Sequence, residues 1–292
     1  MAEERVLKLG IPKGSLADST IDLFARAGFN ITVPSRGYYP STDDPELSCI
    51  MFRAQEMSRY VEDGVLDCGL TGHDWIQEND SDVEEICELV YSKATSRPAR
   101  WVLAVPNESR VTRPEDLQGG IIATELVNVT RRYFENKGVN VRIEFSWGAT
   151  EVKARLLDAI VDVTETGSSL KANNLRIVAE ILTSTPRFIA NRAAYRDPWK
   201  KDKIDSLVLL LRGAIEARAK VGLKLNVART NLDAVLRLLP AELSPTISSL
   251  ADERYAAVEA ILEAEVERRI VPLLQKAGAS GIIVYPLSKV LP

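Results

Sequence analysis

Asp158-Ala159-Ile160-Val161-Asp162-Val163-Thr164-Glu165-Thr166-Gly167-Ser168-Ser169-Leu170 holds the change of pattern around which the rest of the chain arranges itself. Ala159, Ile160, Val161 and Val163 make a buried-strand signal, which breaks at Thr164 into a loop that is polar apart from Gly167. A strand thus leads into a hydroxyl-rich turn, with a short helix expected from Ser169 through Lys171 and Asn174. Gly167 lets the backbone approach a ligand, Thr166, Ser168 and Ser169 set hydroxyls beside consecutive N–H groups, and the positive end of the helix faces the loop. That set suits a phosphate. Asp162, four residues before Thr166, stands at the strand end, where a carboxylate accepts from sugar hydroxyls or helps hold Mg²⁺. Taken alone, the stretch reads first as an ordinary strand-to-helix turn with a serine cap and a solvated aspartate, and only second as a phosphate cradle.

Outward from this stretch the same alternation repeats. Strands at 121–123 and 139–145, helices at 126–137 and 151–157, and strands at 101–105 and 177–182 form one α/β lobe. Ahead of it the strands 6–11, 47–52 and 65–70 each run into a turn or helix. The first is followed by Pro12-Lys13-Gly14 and a helix whose inward face is Ile21, Phe24, Ala25 and Ala27, ending at Gly28. Met57, Tyr60 and Val61 share the face of the second helix, closed by Gly64. The third runs into Thr71-Gly72-His73-Asp74-Trp75. In a parallel sheet these three strand ends meet on one rim, where open α/β sheets bind ligands. The segment 34–45 gives no periodic signal. A crossing between lobes is expected near residue 95, and 187–191 reads as the return crossing. Two lobes joined twice make a cleft.

From Lys220 the pattern becomes that of a strand with one buried face, Val221, Leu223, Leu225 and Val227. A helical face at Leu232, Val235, Leu236 and Leu239, strands at 246–250 and 256–262, a helix at 266–276 interrupted by Pro272, and a last strand at 282–285 complete the order βαββαβ, a ferredoxin-like unit. The expected domains are residues 1–95 as lobe I, completed by about 187–212, residues 96–186 as lobe II, and residues 213–292 as a third domain.

The 292 residues are too many for one small core, and 46% apolar with 27% charged residues is ordinary for a soluble globular protein. A net charge of −4 disfavours non-specific nucleic-acid binding, so a phosphate-rich ligand needs a local basic pocket. The charged N-terminus and the lack of a membrane-length apolar run lead to the expectation of a cytoplasmic protein without membrane attachment. Cys49, Cys68 and Cys87 show no metal spacing and read as reduced core residues; with His73 as the single histidine, multi-histidine metal sites are excluded.

Asp162 with Thr166-Gly167-Ser168-Ser169 resembles the phosphoribosyl-pyrophosphate (PRPP) loop of phosphoribosyltransferases, with Val161 where many of them carry a first acid. The longer string 158–175, the run Tyr60 to Asp74, Gly148-Ala149-Thr150-Glu151-Val152 and Gly10-Ile11-Pro12-Lys13-Gly14 resemble the ATP phosphoribosyltransferase family in its long form. Ser15 replaces the arginine common there, leaving Arg53 as the better cation. The resemblance implies a two-lobed, periplasmic-binding-protein-like α/β catalytic core with a C-terminal ferredoxin-like (ACT-like) regulatory domain. It also implies transfer from PRPP to adenine N1 of ATP, with Mg²⁺, as the first step of histidine biosynthesis. Asp162 and Glu165 would be catalytic, Thr166, Gly167, Ser168, Ser169 and Leu170 would bind PRPP, and Lys13, Arg53, Gly72 and Asp74 would bind substrate. Histidine would inhibit through the third domain, near Thr246 and Ser248, and the chain would form a homo-oligomer, from dimer to hexamer. The rival reading is a two-lobed small-molecule-binding or ligand-sensing protein, since bilobal clefts serve both trades.

Overall fold

A computed structural model describes residues 5–35, 37–91, 98–240 and 244–291. The crossing expected near residue 95 lies outside them. The chain divides into two compact units, residues up to Ala25 with Phe29–Val208, and Arg26–Gly28 with Leu209 onwards.

The first sheet draws on β1 (Leu7–Lys13), followed by α1 (Ala17–Ala27), and on a chain that continues through a small hairpin, β2 (Ile31–Thr32) and β3 (Ser41–Thr42). Next come β4 (Leu47–Arg53), α2 (Ala54–Glu62), β5 (Cys68–Gly72), α3 (His73–Asn79) and β6 (Glu84–Glu88). A second set follows: β7 (Ala99–Pro106), β8 (Ile121–Thr124), α4 (Val127–Glu135), β9 (Arg142–Phe145), α5 (Thr150–Lys153), β10 (Ala159–Thr164), α6 (Ser168–Ala172) and β11 (Leu175–Ser184). Then β12 (Pro186–Ala190) returns to the first sheet, before α7 (Arg192–Arg196) and α8 (Pro198–Glu216).

Sheet one has the order β4-β1-β5-β12-β6, with β1 parallel to both β4 and β5 and β12 antiparallel to β5. The register sets Lys13 opposite Arg53, so the expected convergence of strand ends is met. Sheet two has the order β11-β7-β10-β8-β9, with β8 parallel to β9 and β10. Its strand β7 is buried on both faces: Trp101, Leu103 and Val105 point into one apolar cluster, and Val102 and Ala104 into another with Ile160 and Leu170. These are the two sheets of the two-lobed α/β core.

Several expectations shift. The third strand begins at Cys68 rather than 65, and Val65 is 48% exposed. The inward face of α1 is Thr20, Leu23, Phe24 and Ala27, with Ala25 exposed, because a 3.6-residue period picks i, i+3, i+4 and i+7. The helix expected over 151–157 is one turn, α5, and β9 is shorter than 139–145. The segment 34–45 contributes β3 to a hairpin. Residues 192–219 hold the 19-residue α8, whose buried Ile204, Leu207, Leu211 and Ala214 are spaced for a helix but diluted by lysines and aspartates at its start, so that periodicity alone does not mark it.

The second unit contains β13 (Lys220–Ala228), α9 (Leu232–Leu236), β14 (Thr246–Ser249), β15 (Tyr255–Glu263), α10 (Ala264–Lys276) and β16 (Ala279–Pro286). Its antiparallel sheet has the order β14-β15-β13-β16, which is the ferredoxin-like topology expected. Leu223, Leu225 and Val227 face Val235, Ile270 and Leu274 of the helices. Pro272 sits inside one continuous α10, where it lacks the N–H for the helical bond.

Candidate active site

A cavity of about 550 Å³ opens at the strand ends of the two sheets of the first unit, a size that suits a small phosphorylated ligand. Lys13, Arg53, Gly72 and Asp74 line it from sheet one, and Asp162, Thr164 and Glu165 from sheet two. Six of the residues singled out from the sequence therefore meet in one cavity: Lys13, Arg53, Gly72, Asp74, Asp162 and Glu165. The hydroxyl turn follows Glu165 directly in the chain, but Thr166, Gly167, Ser168, Ser169 and Leu170 are not among the residues that line the cavity.

Asp162 is half-buried on β10, directly after the buried Ala159, Ile160 and Val161, and the N–H of its neighbour Val163 donates to its Oδ1 at 2.8 Å. Burial, followed by the negative charges of Glu151 and Glu125, raises its carboxyl from an ordinary 3.8 to about 6. Glu125, which no sequence signal marked, lines the cavity directly after β8.

In the turn, Thr164 Oγ1 accepts from the Gly167 N–H at 2.8 Å, and Thr166 Oγ1 donates to Ser168 Oγ at 3.0 Å. Gly167 has φ 79°, a left-handed conformation that favours glycine, and a Cβ there would meet nothing within 4 Å. The space over the turn is open. Thr166, Ser168 and Ser169 are exposed, whereas Leu170 is 2% exposed and packed in the core, so only its backbone can face a ligand. Ser169 Oγ hydrogen-bonds Glu151. The helix that follows, α6, has five residues, so the attraction for an anion comes from individual N–H groups and hydroxyls more than from a helix dipole.

Lys13 Nζ lies 3.8 Å from the centroid of the Tyr38 ring, and Arg53 precedes α2 with no ion pair among the described residues. A cation at a helix N-terminus is unfavourable unless an anion is near. Asp74 lines the cavity with its carboxylate engaged within the protein: it is 6% exposed, with Oδ2 accepting from Trp101 Nε1 at 2.7 Å and Oδ1 from the Trp75 N–H at 3.0 Å. Burial raises its pKa, against the opposing effect of the Trp101 bond. Gly72 is explained by the same carboxylate, since a Cβ would lie 2.0 Å from Asp74 Oδ1.

A second cavity of about 600 Å³ shares Arg53, Gln55, Trp75 and Glu125 with the first. It adds Arg59 and Trp147, whose ring is 91% exposed and makes an edge contact with Phe145 at 4.7 Å. Gly148 and Ala149, which follow, are both left-handed, with φ 107° and 49°. A lone exposed tryptophan beside a glycine was the available sequence signal for this second cavity.

Among the described residues, no group of three His, Cys, Asp or Glu is placed to hold a metal ion, and no helix is long and apolar enough to cross a membrane. Cys49 and Cys68 are buried, and burial pushes the Cys49 thiol up to about 12, as expected of inert core thiols. His73 Nδ1 lies 3.3 Å from Glu85. In the second unit, Thr246 and Ser248 are exposed on edge strand β14, where Thr246 pairs with Glu259, itself 2.6 Å from Tyr285 Oη.

Residues 53–222 match the family model of ATP phosphoribosyltransferase, and residues 217–289 that of the HisG C-terminal domain. The chain belongs to the ATP phosphoribosyltransferase family. An ATP phosphoribosyltransferase of Pelodictyon phaeoclathratiforme is 57% identical over 288 residues, 98% of each chain. One of Geotalea daltonii is 52% identical over 288 residues, 98% of this chain and 99% of that one. Among solved structures, the ATP phosphoribosyl transferase (HisG:HisZ) complex from Thermotoga maritima contains a chain 34% identical to this one, with TM-score 0.62. That alignment covers 99% of the Thermotoga chain and 72% of this one. Family membership carries the activity, a phosphoribosyl transfer that opens histidine biosynthesis, and it decides against the ligand-sensing alternative.

Proposed function

We propose that the first cavity and its hydroxyl turn bind PRPP, that the second cavity takes ATP, and that the reaction occurs where the two adjoin. The observation that carries this is the meeting of Asp162 and Glu165 with the paired cations Lys13 and Arg53 around one cavity, with the open turn at Gly167 next along the chain. Thr166, Gly167, Ser168, Ser169 and the Leu170 backbone cradle the 5-phosphate, and Asp162 accepts from the ribose hydroxyls. Lys13 and Arg53 meet the pyrophosphate from the facing lobe. Arg53 and Arg59 meet the ATP phosphates, and Trp147 offers its exposed face to adenine.

Adenine N1 attacks the anomeric carbon as the C1–O bond to pyrophosphate breaks, and the electron pair leaves with pyrophosphate. The nucleophile is a ring nitrogen lone pair, so no activated serine, cysteine or histidine is required. The chain's task is electrostatic: carboxylates Asp162 and Glu165 face the cationic ring, and cations face the leaving group. Mg²⁺, when bound, neutralises charge on the pyrophosphate. The residues fit an ion carried mainly by the substrate's phosphates, with one or two carboxylates such as Asp162 and Glu165 completing its shell, and not a cage made by protein alone.

In this reading residues 1–95 with about 187–212 form lobe I, 96–186 form lobe II, and 213–292 form a regulatory domain. Histidine lowers the rate through that domain, near Thr246 and Ser248, in a homo-oligomer of the cytoplasm. Incubation with ATP, PRPP and Mg²⁺ should release pyrophosphate and form one equivalent of N1-substituted adenine nucleotide, and chelating the metal should abolish both. Pyrophosphate without that nucleotide would overturn the assignment of ATP to the second cavity.

A further inference from the structure

Helix α3 belongs to sheet one by its chain and by its own bonds. It grows without a break from β5, Asn79 Nδ2 donates to Gln55 O and Ser58 Oγ at 2.9 Å each, and Ser58 Oγ donates to Trp75 O at 3.3 Å. Its opposite side is bonded to the elements of sheet two. Glu78, 8% exposed, accepts from the backbone N–H of Asn128 at Oε1 and of Val129 at Oε2, both at 2.9 Å. These are the second and third residues of α4, the donors that a helix's own N-cap side chain would satisfy. The N-cap here is Leu126, which offers no acceptor, so the carboxylate comes from the other lobe. Asn128 Nδ2 returns a bond to Glu78 O at 3.0 Å, and Arg132 donates to Gln77 O. One turn earlier Asp74 accepts from Trp101 on β7, and its N–H donates to Ser184 Oγ at 3.0 Å, where β11 ends.

We propose that α3 is the pivot of the two lobes, and that Asp74 and Glu78 are positioning residues that set the PRPP side against the ATP side, a proposal that rests on the functional reading above. Separating the lobes along α3 would leave two buried carboxylates and the N–H groups of Asn128 and Val129 without partners, a penalty of several kcal/mol. The lobes therefore turn about this contact and do not part there. Trp75, on the helix between the two carboxylates, lines both cavities, so a slip of α3 moves the shared wall of the two sites. Asp74 lines the first cavity and Glu78 the second, but both carboxylates are engaged in bonds between the lobes, and reaction between two bound substrates is sensitive to displacements of about an ångström.

The test compares full-length wild type with Glu78→Gln and with Asn128→Ala, whose side chain bonds Glu78 O and lines neither cavity. PRPP affinity measured by calorimetry, without ATP, should stay within about twofold in both variants, because neither Glu78 nor Asn128 lines the first cavity. The turnover number with both substrates saturating should fall about tenfold or more. Hydrogen exchange at the Asn128 and Val129 amides of wild type should be equally slow with and without PRPP, and faster in Glu78→Gln. Turnover within twofold of wild type in a folded variant would overturn the proposal, as would loss of PRPP affinity in step with turnover, or exposure of the two amides on PRPP binding. Should Glu78→Gln fail to fold, Asn128→Ala, which removes one bond between the lobes and leaves the backbone N–H groups of α4 capped, carries the same expectation. Wild type that binds PRPP but makes no pyrophosphate would instead count against the functional reading.

Discussion

Asp162 is the residue at which stability and function pull apart. Its carboxyl is raised from 3.8 to about 6 because folding removes it from water and sets it near Glu151 and Glu125. A carboxyl raised on folding favours the folded state in its protonated form. Its contribution is complete below about pH 4 and is lost as pH rises through about 6. Above pH 7 the ionised Asp162 therefore costs on the order of 3 kcal/mol. Asp162→Asn should melt higher than wild type at pH 7.5, with the two melting temperatures converging towards pH 4, as thermal melts across that range would show. PRPP and its metal ion would reverse the balance by giving the carboxylate partners, so PRPP with Mg²⁺ should raise the melting temperature of wild type more than that of the variant.

At the scale of elements, the turn between β10 and α6 was legible because its chemistry is local: a strand, a glycine and hydroxyls within one short stretch. Gly167→Ala should cost only about 1 kcal/mol of stability, since the cost is left-handed backbone strain and no neighbour is struck. The KM for PRPP should nevertheless rise about tenfold or more, because the new methyl projects into the open space where the phosphate sits; steady-state kinetics beside a denaturant melt separate the two effects. Gly72→Ala is the opposite case. Its backbone, at φ −76°, accepts any residue, yet the Cβ strikes Asp74, so the loss should appear in stability, about 1–3 kcal/mol. What the sequence hid was long-range. Asp74 reads as a polar residue after a strand, and only the fold shows that Trp101, 27 positions away, occupies its carboxylate. Glu78 carries no local signal at all, because the helix it caps lies 50 residues further along the chain. Helix α8 was missed for a different reason: its charged first turns obscured an apolar face that becomes regular only after Ile204.

At the scale of the whole molecule, the order of strands and helices was readable because apolar periodicity switches between two and 3.6 residues along most of the chain. The partition of work between units was not readable from periodicity, and came from resemblance. If the ferredoxin-like unit regulates, histidine should lower the maximal rate without competing with PRPP, and Thr246→Ala should weaken that inhibition while leaving the uninhibited rate within about twofold. Competitive kinetics would place histidine in the cleft instead. The most direct test of the PRPP site is the rate of pyrophosphate release at saturating PRPP, ATP and Mg²⁺ in wild type and Asp162→Asn, with folding of both verified by melting. A fall of about a hundredfold or more in the variant is the expected result. An undiminished rate would contradict the placement of the phosphorylated sugar at Asp162.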